Sequence, residues 1–316
     1  MRRICIIGGS GKQGTNLLNA LTSHQQFRNV EKIRVFCKHS NQQLDQIRQK
    51  IGDKLEVFTG DLNSPQHEQD VRHCLEGCDT CVLIQNPTDY NSDLKRGSEM
   101  EVQHGKKLIE MCTQLNVKNF VYSSWAACCA AKELDVPHFH SKCQLEQWLQ
   151  SKKSSFDSFS ICRPTWFMEN IIYDEDIKRS LQQDHVLRLP LRANTKLPCC
   201  SITDVGRVLA DCCLDPQKLS HHNNIVEIVS EILTPEEMAR QLNCRFEECD
   251  RSKLEPAFNR MYEFLQREPI RPDVNFCREC FGQFLSFQQF AQRSNLVSKE
   301  TTRPQESRAE AGISRT

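Results

Sequence analysis

Short apolar runs and amphipathic stretches alternate along the first half of the chain. Arg3 to Ile7 is an apolar run that ends in glycines, and Lys12 to Leu21 sets Leu17, Leu18 and Leu21 at helical spacing, which predicts strand, turn and helix. The alternation returns as Ile33 to Cys37 before the amphipathic 41–51, and as Leu55 to Phe58 before a helix opened by Ser64-Pro65. It continues with Thr80 to Ile84 before 94–115, Phe120 to Tyr122 before 140–151, and Ser158 to Cys162. A proline suits a first helical turn because its missing N–H has no partner there. Six strands separated by helices require crossover connections, so residues 1–163 are predicted to form an α/β, Rossmann-type doubly wound parallel sheet covered on both faces.

After Arg163-Pro164 the regular alternation stops. A helix near 168–181, a short strand from Val186 to Leu189 and a helix opened by Thr203-Asp204 predict a smaller C-terminal α+β lobe over 164–294, part of the same unit. Thr234-Pro235-Glu236-Glu237 combines an N-cap, a first-turn proline and a capping glutamate, opening a helix through Leu242. Further helices are predicted near 255–267 and 286–293. From Asn295 the chain is rich in Ser, Thr, Arg and Glu without apolar periodicity, which predicts a disordered tail over 295–316.

Composition narrows the function classes. The chain has 316 residues with 38% hydrophobic content, enough for a sizeable core, and 41 basic against 41 acidic residues. With zero formal net charge there is no general basic field, so direct nucleic-acid binding is not expected. No apolar run approaches the ~18–20 residues of a bilayer span, and a soluble, unprocessed, intracellular protein is expected. The 18 cysteines include adjacent pairs such as Cys128/Cys129, Cys199/Cys200 and Cys212/Cys213, and most are expected as reduced thiols. Cys78-x-x-Cys81 and Cys277-x-x-Cys280 have no second ligand pair, so no metal site is expected.

The first strand runs into Gly8-Gly9-Ser10-Gly11-Lys12-Gln13-Gly14, a GxxGxxG pattern between strand and helix. Gly8 suits the tight turn, Gly11 lets backbone approach a pyrophosphate, and Gly14 lets the helix pack close to the sheet, with the phosphates at the helix N-terminus. An NAD site would carry an acid at the end of the second strand; here stand Phe36-Cys37-Lys38-His39. Lys38 would instead attract a 2′-phosphate, so NADP(H) is preferred over NAD(H), the plain alternative being that Lys38 is one solvated charge among many.

These motifs, with Gly60-Asp61-Leu62, His138-Phe139-His140-Ser141-Lys142 with Gln144-Leu145-Glu146, and Arg163-Pro164-Thr165-Trp166-Phe167-Met168-Glu169-Asn170, resemble the NmrA-like family of atypical short-chain dehydrogenase/reductases over roughly residues 1–290. The resemblance, closest to the family's NADP(H)-sensor branch, implies that Asp61 and Leu62 contact the adenine and that Gln85, Asn86 and Pro87 line the path to the nicotinamide ribose. It implies that Lys142 holds that ribose and that Thr165, Trp166, Phe167, Met168 and Glu169 flank the nicotinamide. It further implies a protein partner selected by redox state, allows a homodimer, and places the protein in the cytoplasm with the nucleus as a second site.

Related reductases use Tyr-x-x-x-Lys, in which the lysine acidifies a phenol that protonates a carbonyl during hydride transfer. Here the spacing gives His138-x-x-x-Lys142, so His138 and Lys142 are the candidate catalytic residues. His138 follows Pro137 in a polar segment and reads as a surface side chain. Ser123 and Ser124 end the fifth strand where the reductase serine stands. The missing tyrosine favours a redox sensor with little or no catalysis; the alternative is an NADPH-dependent reductase of a quinone or related carbonyl, and a third reading takes the cysteines as the sensing element.

Overall fold

The computed structural model describes residues 1–130, 135–267 and 270–297. Seven strands form one parallel sheet in the order β10-β6-β5-β4-β1-β2-β3: β1 (Arg2–Ile7), β2 (Val30–Cys37), β3 (Leu55–Thr59), β4 (Thr80–Ile84), β5 (Asn119–Ser123), β6 (Ser158–Pro164) and β10 (Ile225–Ile228). The crossovers carry α1 (Lys12–Ser23), α2 (Gln42–Ile51), α3 (Glu68–Leu75), α4 (Leu94–Gln114) and α5 (Pro137–Ser151). This is the α/β, Rossmann-type doubly wound architecture that the alternation predicts. The strands read as apolar runs because both faces are covered: Ile4, Ile6, Val82 and Val121 bury against α1 and α2, while Cys5, Ile7, Leu83 and Tyr122 bury against α3, α4 and α5.

The seventh strand was not legible as a sheet member. The chain leaves the sheet through β7 (Trp166–Phe167), α6 (Asn170–Tyr173), α7 (Glu175–Asp184), β8 (Val186–Leu189) and β9 (Leu197–Cys200), then returns. α8 (Ile202–Leu214) packs against α1, and β10 pairs in parallel with β6. Residues 202–228 therefore belong to the first layer, although they follow Arg163. The helix expected near 168–181 is two, broken at Asp174, whose carboxylate accepts the N–H groups of Asp176 and Ile177 and so starts α7.

The remaining elements are β11 (Glu231–Leu233), α9 (Pro235–Gln241), β12 (Arg245–Glu248), α10 (Pro256–Arg267), α11 (Val274–Phe281) and α12 (Phe287–Arg293). Apart from α11, whose Cys277 and Phe281 bury in the first core beside β10, they enclose a second core around Trp166, Leu189, Met238, Phe264 and Phe287. The capping box predicted at Thr234 is present: Thr234 Oγ1 accepts the N–H of Glu237, whose carboxylate accepts the N–H of Thr234. The described chain runs past Asn295, which takes φ +55° and lets Leu296 N–H close α12 on Ala291. Leu296 and Val297 pack on the second core, and residues 298–316 of the expected tail lie outside the described residues.

Candidate functional site

The glycine-rich loop between β1 and α1 floors a groove of about 780 Å³ at the carboxyl edge of the sheet. Gly8 has φ +86°, and a Cβ there would lie 2.1 Å from the Ile84 carbonyl oxygen, so only glycine makes this turn. Gly14 sits beneath the loop, where a Cβ would stand 2.5 Å from Gly9 Cα. At Gly11 a Cβ would meet only Gly8 O, at 3.5 Å; the protein's own packing does not demand glycine there, and the space faces the groove. α1 starts at Gly11 with no side-chain cap and no acid in its first turn, which leaves its leading N–H groups and its dipole for an anion. The loop is fixed from both sides, since Asn41 Nδ2 donates to Ser10 O at 2.7 Å and Ser123 Oγ donates to Gln13 Oε1 at 2.7 Å. Lys12 Nζ lies 3.3 Å from the centroid of the Tyr173 ring across the groove, and its partial burial lowers its pKa against the pull of Glu169.

At the far end of the groove Lys38 follows β2, and Asp61 and Leu62 follow β3. An acid does face Lys38: Asp61 comes from the third strand, with Nζ 3.1 Å from Oδ2. Burial would raise the Asp61 carboxyl, but the N–H of Asn63 and the Lys38 ammonium hold it below its ordinary value. Asp61 also shapes the turn after β3, accepting Asn63 N–H on Oδ1 at 2.9 Å and Ser64 N–H on its carbonyl at 2.9 Å.

A cavity of about 850 Å³ adjoins the groove, and Gln13, Gln85, Asn86, Phe167 and Asn170 line both. Its walls include Pro87, Ser124, Trp125, His138, Phe139 and Lys142. Trp125 stacks on Phe139 with centroids 5.8 Å apart and meets Phe167 edge-on at 6.1 Å. Helix α5 is buried on several sides, which inverts the reading of His138 as a surface residue. Both ring nitrogens of His138 are buried without a hydrogen-bond partner, and burial, with the charges of Lys142 and His140, pushes its pKa down to about 4. At neutral pH the ring is therefore neutral.

Lys142 is buried too, and its Nζ donates to the Gln85 carbonyl at 2.7 Å and to Glu101 Oε1 at 2.6 Å. Glu101, fully buried on α4, takes a further hydrogen bond from Ser141 Oγ. Ser124 Oγ is likewise committed, donating to the buried Glu146 at 2.5 Å, and Glu146 forms a two-point pair with Arg163. The groups placed as proton donors are thus a neutral imidazole, an ion-paired ammonium and a hydroxyl held by a carboxylate.

The remaining sequence-derived residues divide. Gly8, Ser10, Gly11, Lys12, Lys38, Asp61 and Leu62 line the groove, Pro87, His138, Lys142 and Trp166 line the cavity, and Gln13, Gln85, Asn86 and Phe167 line both. Thr165, Met168 and Glu169 line neither. Thr165 Oγ1 donates to Ile228 O, Met168 lies in the second core, and Glu169 accepts Ile202 N–H at 2.8 Å. Burial raises the Glu169 carboxyl to about 7 although its own N–H and that of Ile202 oppose the shift. Sequence reasoning missed Tyr90, whose hydroxyl accepts a hydrogen bond from Gln85 Nε2 and which lines the groove. The turn opened by Asn86-Pro87 could have pointed to it. Glu101 carries no local signal. Among the described residues the cluster close enough to share an ion is Cys128, Cys129 and Glu146; neither CxxC spacing forms one.

The NmrA-like family model matches residues 1–275. An NmrA-like family domain-containing oxidoreductase, lnaB, of Aspergillus flavus is 27% identical over 178 residues, 54% of this chain. The chain spans 49% of that curated relative's length. The triphenylmethane reductase of Citrobacter sp., solved with NADP(H), superposes with a TM-score of 0.71 at 13% identity, covering 92% of this chain and 99% of the other. NmrA, a negative transcriptional regulator solved with NADP, gives a TM-score of 0.69 at 14% identity over 92% and 94% of the two chains. Likeness at such identity establishes the fold, and that fold carries both a reductase and a regulator.

Proposed function

The chain belongs to the NmrA-like family, and from that premise we propose that it binds NADP(H) and acts as a redox sensor through a protein partner, with little or no catalysis. The glycine loop fits a pyrophosphate: Gly11 leaves room over an uncapped helix start, and Lys12 adds positive charge. Lys38 at the groove's end fits a 2′-phosphate, which would compete with Asp61 for its ammonium. When bound, the cofactor supplies a hydride. This chain's residues bind and orient it: Gln85 and Asn86 stand where groove and cavity meet, and Lys142 holds the Gln85 carbonyl in place.

The observation that carries the sensor reading is the state of the three proton donors that the sequence offers: two are committed to buried carboxylates and the third is neutral. Lys142 is paired to Glu101, Ser124 donates to Glu146, and His138 is held neutral. A positioned general acid is worth about 10²–10⁴-fold in rate, so a site without one retains binding and loses turnover. The adjoining aromatic cavity favours a second reading, an NADPH-dependent reductase of a quinone or related carbonyl. Mixing the protein with NADPH and a panel of quinones and aldehydes, and following the nicotinamide absorbance, separates them. Saturable binding with slow or absent oxidation supports the sensor. Robust oxidation that His138→Ala or Lys142→Ala abolishes makes the protein a reductase.

A further inference from the structure

Helix α5 is tied covalently to the loop that follows β5. Cys129 and Cys143 form a disulfide with Cα atoms 5.1 Å apart, within the ordinary span of such a bridge, while the other cysteines are free thiols. The bridge is thus a local feature of the cavity wall rather than part of a disulfide framework. Cys143 adjoins Lys142 in sequence, and Cys129 closes the loop that presents Trp125 to the cavity.

That loop needs restraint. Ala127 takes φ +58°, a left-handed conformation that crowds its Cβ against the following carbonyl oxygen. The conformation is held by Ala126 N–H on Pro164 O at 2.9 Å, by Ser124 on Glu146, by the Trp125–Phe139 stack and by the bridge. A third sulfur stands close, with Cys128 Sγ 3.8 Å from Cys129 Sγ. Burial and the neighbouring Glu146 push the Cys128 thiol up to about 12, so at neutral pH it stays protonated and does not attack the bridge. Cys129 is half-buried whereas Cys128 and Cys143 are buried, so a thiol from solvent meets the bridge at Cys129.

We propose that Cys129–Cys143 is a reversible thiol–disulfide site, reacting with small thiols, that sets how firmly the Trp125 loop is fixed to the helix bearing His138 and Lys142. Opening begins when a small-molecule thiolate attacks Cys129 Sγ; the S–S bond breaks, a mixed disulfide forms at Cys129, and Cys143 leaves as a thiolate that takes up a proton. A second thiolate attacks the small molecule's sulfur in that mixed disulfide and releases Cys129, which is protonated in turn. Two small thiols are oxidised to one disulfide, the bridge is reduced to two thiols, and two electrons move; closure is the reverse, with the small disulfide as oxidant. The site needs no nicotinamide and stands apart from the cofactor reading.

The full-length protein, equilibrated in buffers of stepped reduced-to-oxidised glutathione ratio, quenched and alkylated, reports the linked fraction by peptide mass mapping. The expected result is a Cys129–Cys143 linked pair that appears and disappears reversibly and is unchanged by Cys128→Ser. Amide exchange over residues 124–130 should be at least tenfold faster in the reduced protein, with β5 and β6 unaffected. Cys143→Ser should stay in the fast-exchanging state at every ratio. The proposal is overturned by no linked pair at any ratio, by a link through Cys128, or by equal exchange in the two forms. A zinc ion held stoichiometrically by the reduced protein and lost in Cys128→Ser would also overturn it, giving the cluster to a metal.

Discussion

Two lysine–carboxylate pairs stand at opposite ends of the cleft, and they differ in kind. Lys38–Asp61 lies at the rim of the groove, with side chains 53% and 33% exposed. Lys142–Glu101 lies beneath the cavity, with side chains 9% and 0% exposed. Water screens the first pair, so Lys38 can turn from Asp61 to an incoming phosphate at small cost. The second pair has no water to replace either partner, so Lys142 is held between Glu101 and the Gln85 carbonyl as a fixed strut. The same two residue types thus give an exchangeable contact at one end and a positioning element at the other.

Breaking the buried pair should have the largest effect. Glu101→Ala leaves Lys142 buried without its counter-ion, and an uncompensated buried charge costs about 3–5 kcal/mol. Chemical denaturation should show that loss, with much of it recovered in the Glu101→Ala/Lys142→Met double variant. A loss under about 1 kcal/mol, typical of an exposed pair, would erase the distinction between the two ends.

The pH dependence of stability sharpens the contrast next. Glu169, with its pKa raised from 4.5 to about 7 in the folded protein, contributes stability that is full below 4.5 and lost as pH rises through 7. His138, lowered from 6.5 to about 4, contributes in the opposite sense: its stability is present above 6.5 and lost as pH falls through 4. Between pH 5 and 6.5 the two offset one another. His138→Gln should therefore give a protein that gains stability as pH falls from 7 to 5, and Glu169→Gln one that loses stability between pH 6.5 and 4. Denaturation midpoints across that range, flat in both variants, would contradict the assigned burial.

The smallest effect belongs to the exposed pair. Asp61→Asn releases Lys38 and removes a negative charge beside the proposed 2′-phosphate site. Exposed pairs are worth about 0.2–1 kcal/mol, so NADPH binding should tighten by up to about fivefold, with NADH nearly unchanged. Weaker NADPH binding would mean that Asp61 itself serves the ligand.

The groove was largely legible in the sequence because its function resides in backbone. Gly8 and Gly11 between strand and helix, with Gly14 in the first turn of that helix, specify a turn, a space and a close packing that few other sequences satisfy. The strand alternation was equally readable, since strands buried on both faces are apolar runs. β10 escaped because Ile225 to Ile228 alternates with Glu227, the pattern of a half-exposed strand at a sheet edge, and its partner β6 lies 64 residues upstream. The cavity was poorly legible because it is built from buried charge. His138 to Lys142 reads as polar surface, and only the tertiary arrangement brings Glu101 from α4 and Arg163 from β6 to satisfy what α5 buries. The Lys38–Asp61 pair, set by the β2–β3 register, was hidden for the same reason.

The account rests on the groove being an NADP(H) site with its selectivity at Lys38. Calorimetric titration of the wild-type protein and Lys38→Asp with NADPH and with NADH tests this most directly. One charge-assisted contact contributes about 1.5–3 kcal/mol, so the wild type should favour NADPH by roughly 10- to 150-fold, and Lys38→Asp should abolish the preference while still binding NADH. Equal affinities in the wild type, or a preference that survives Lys38→Asp, would contradict it.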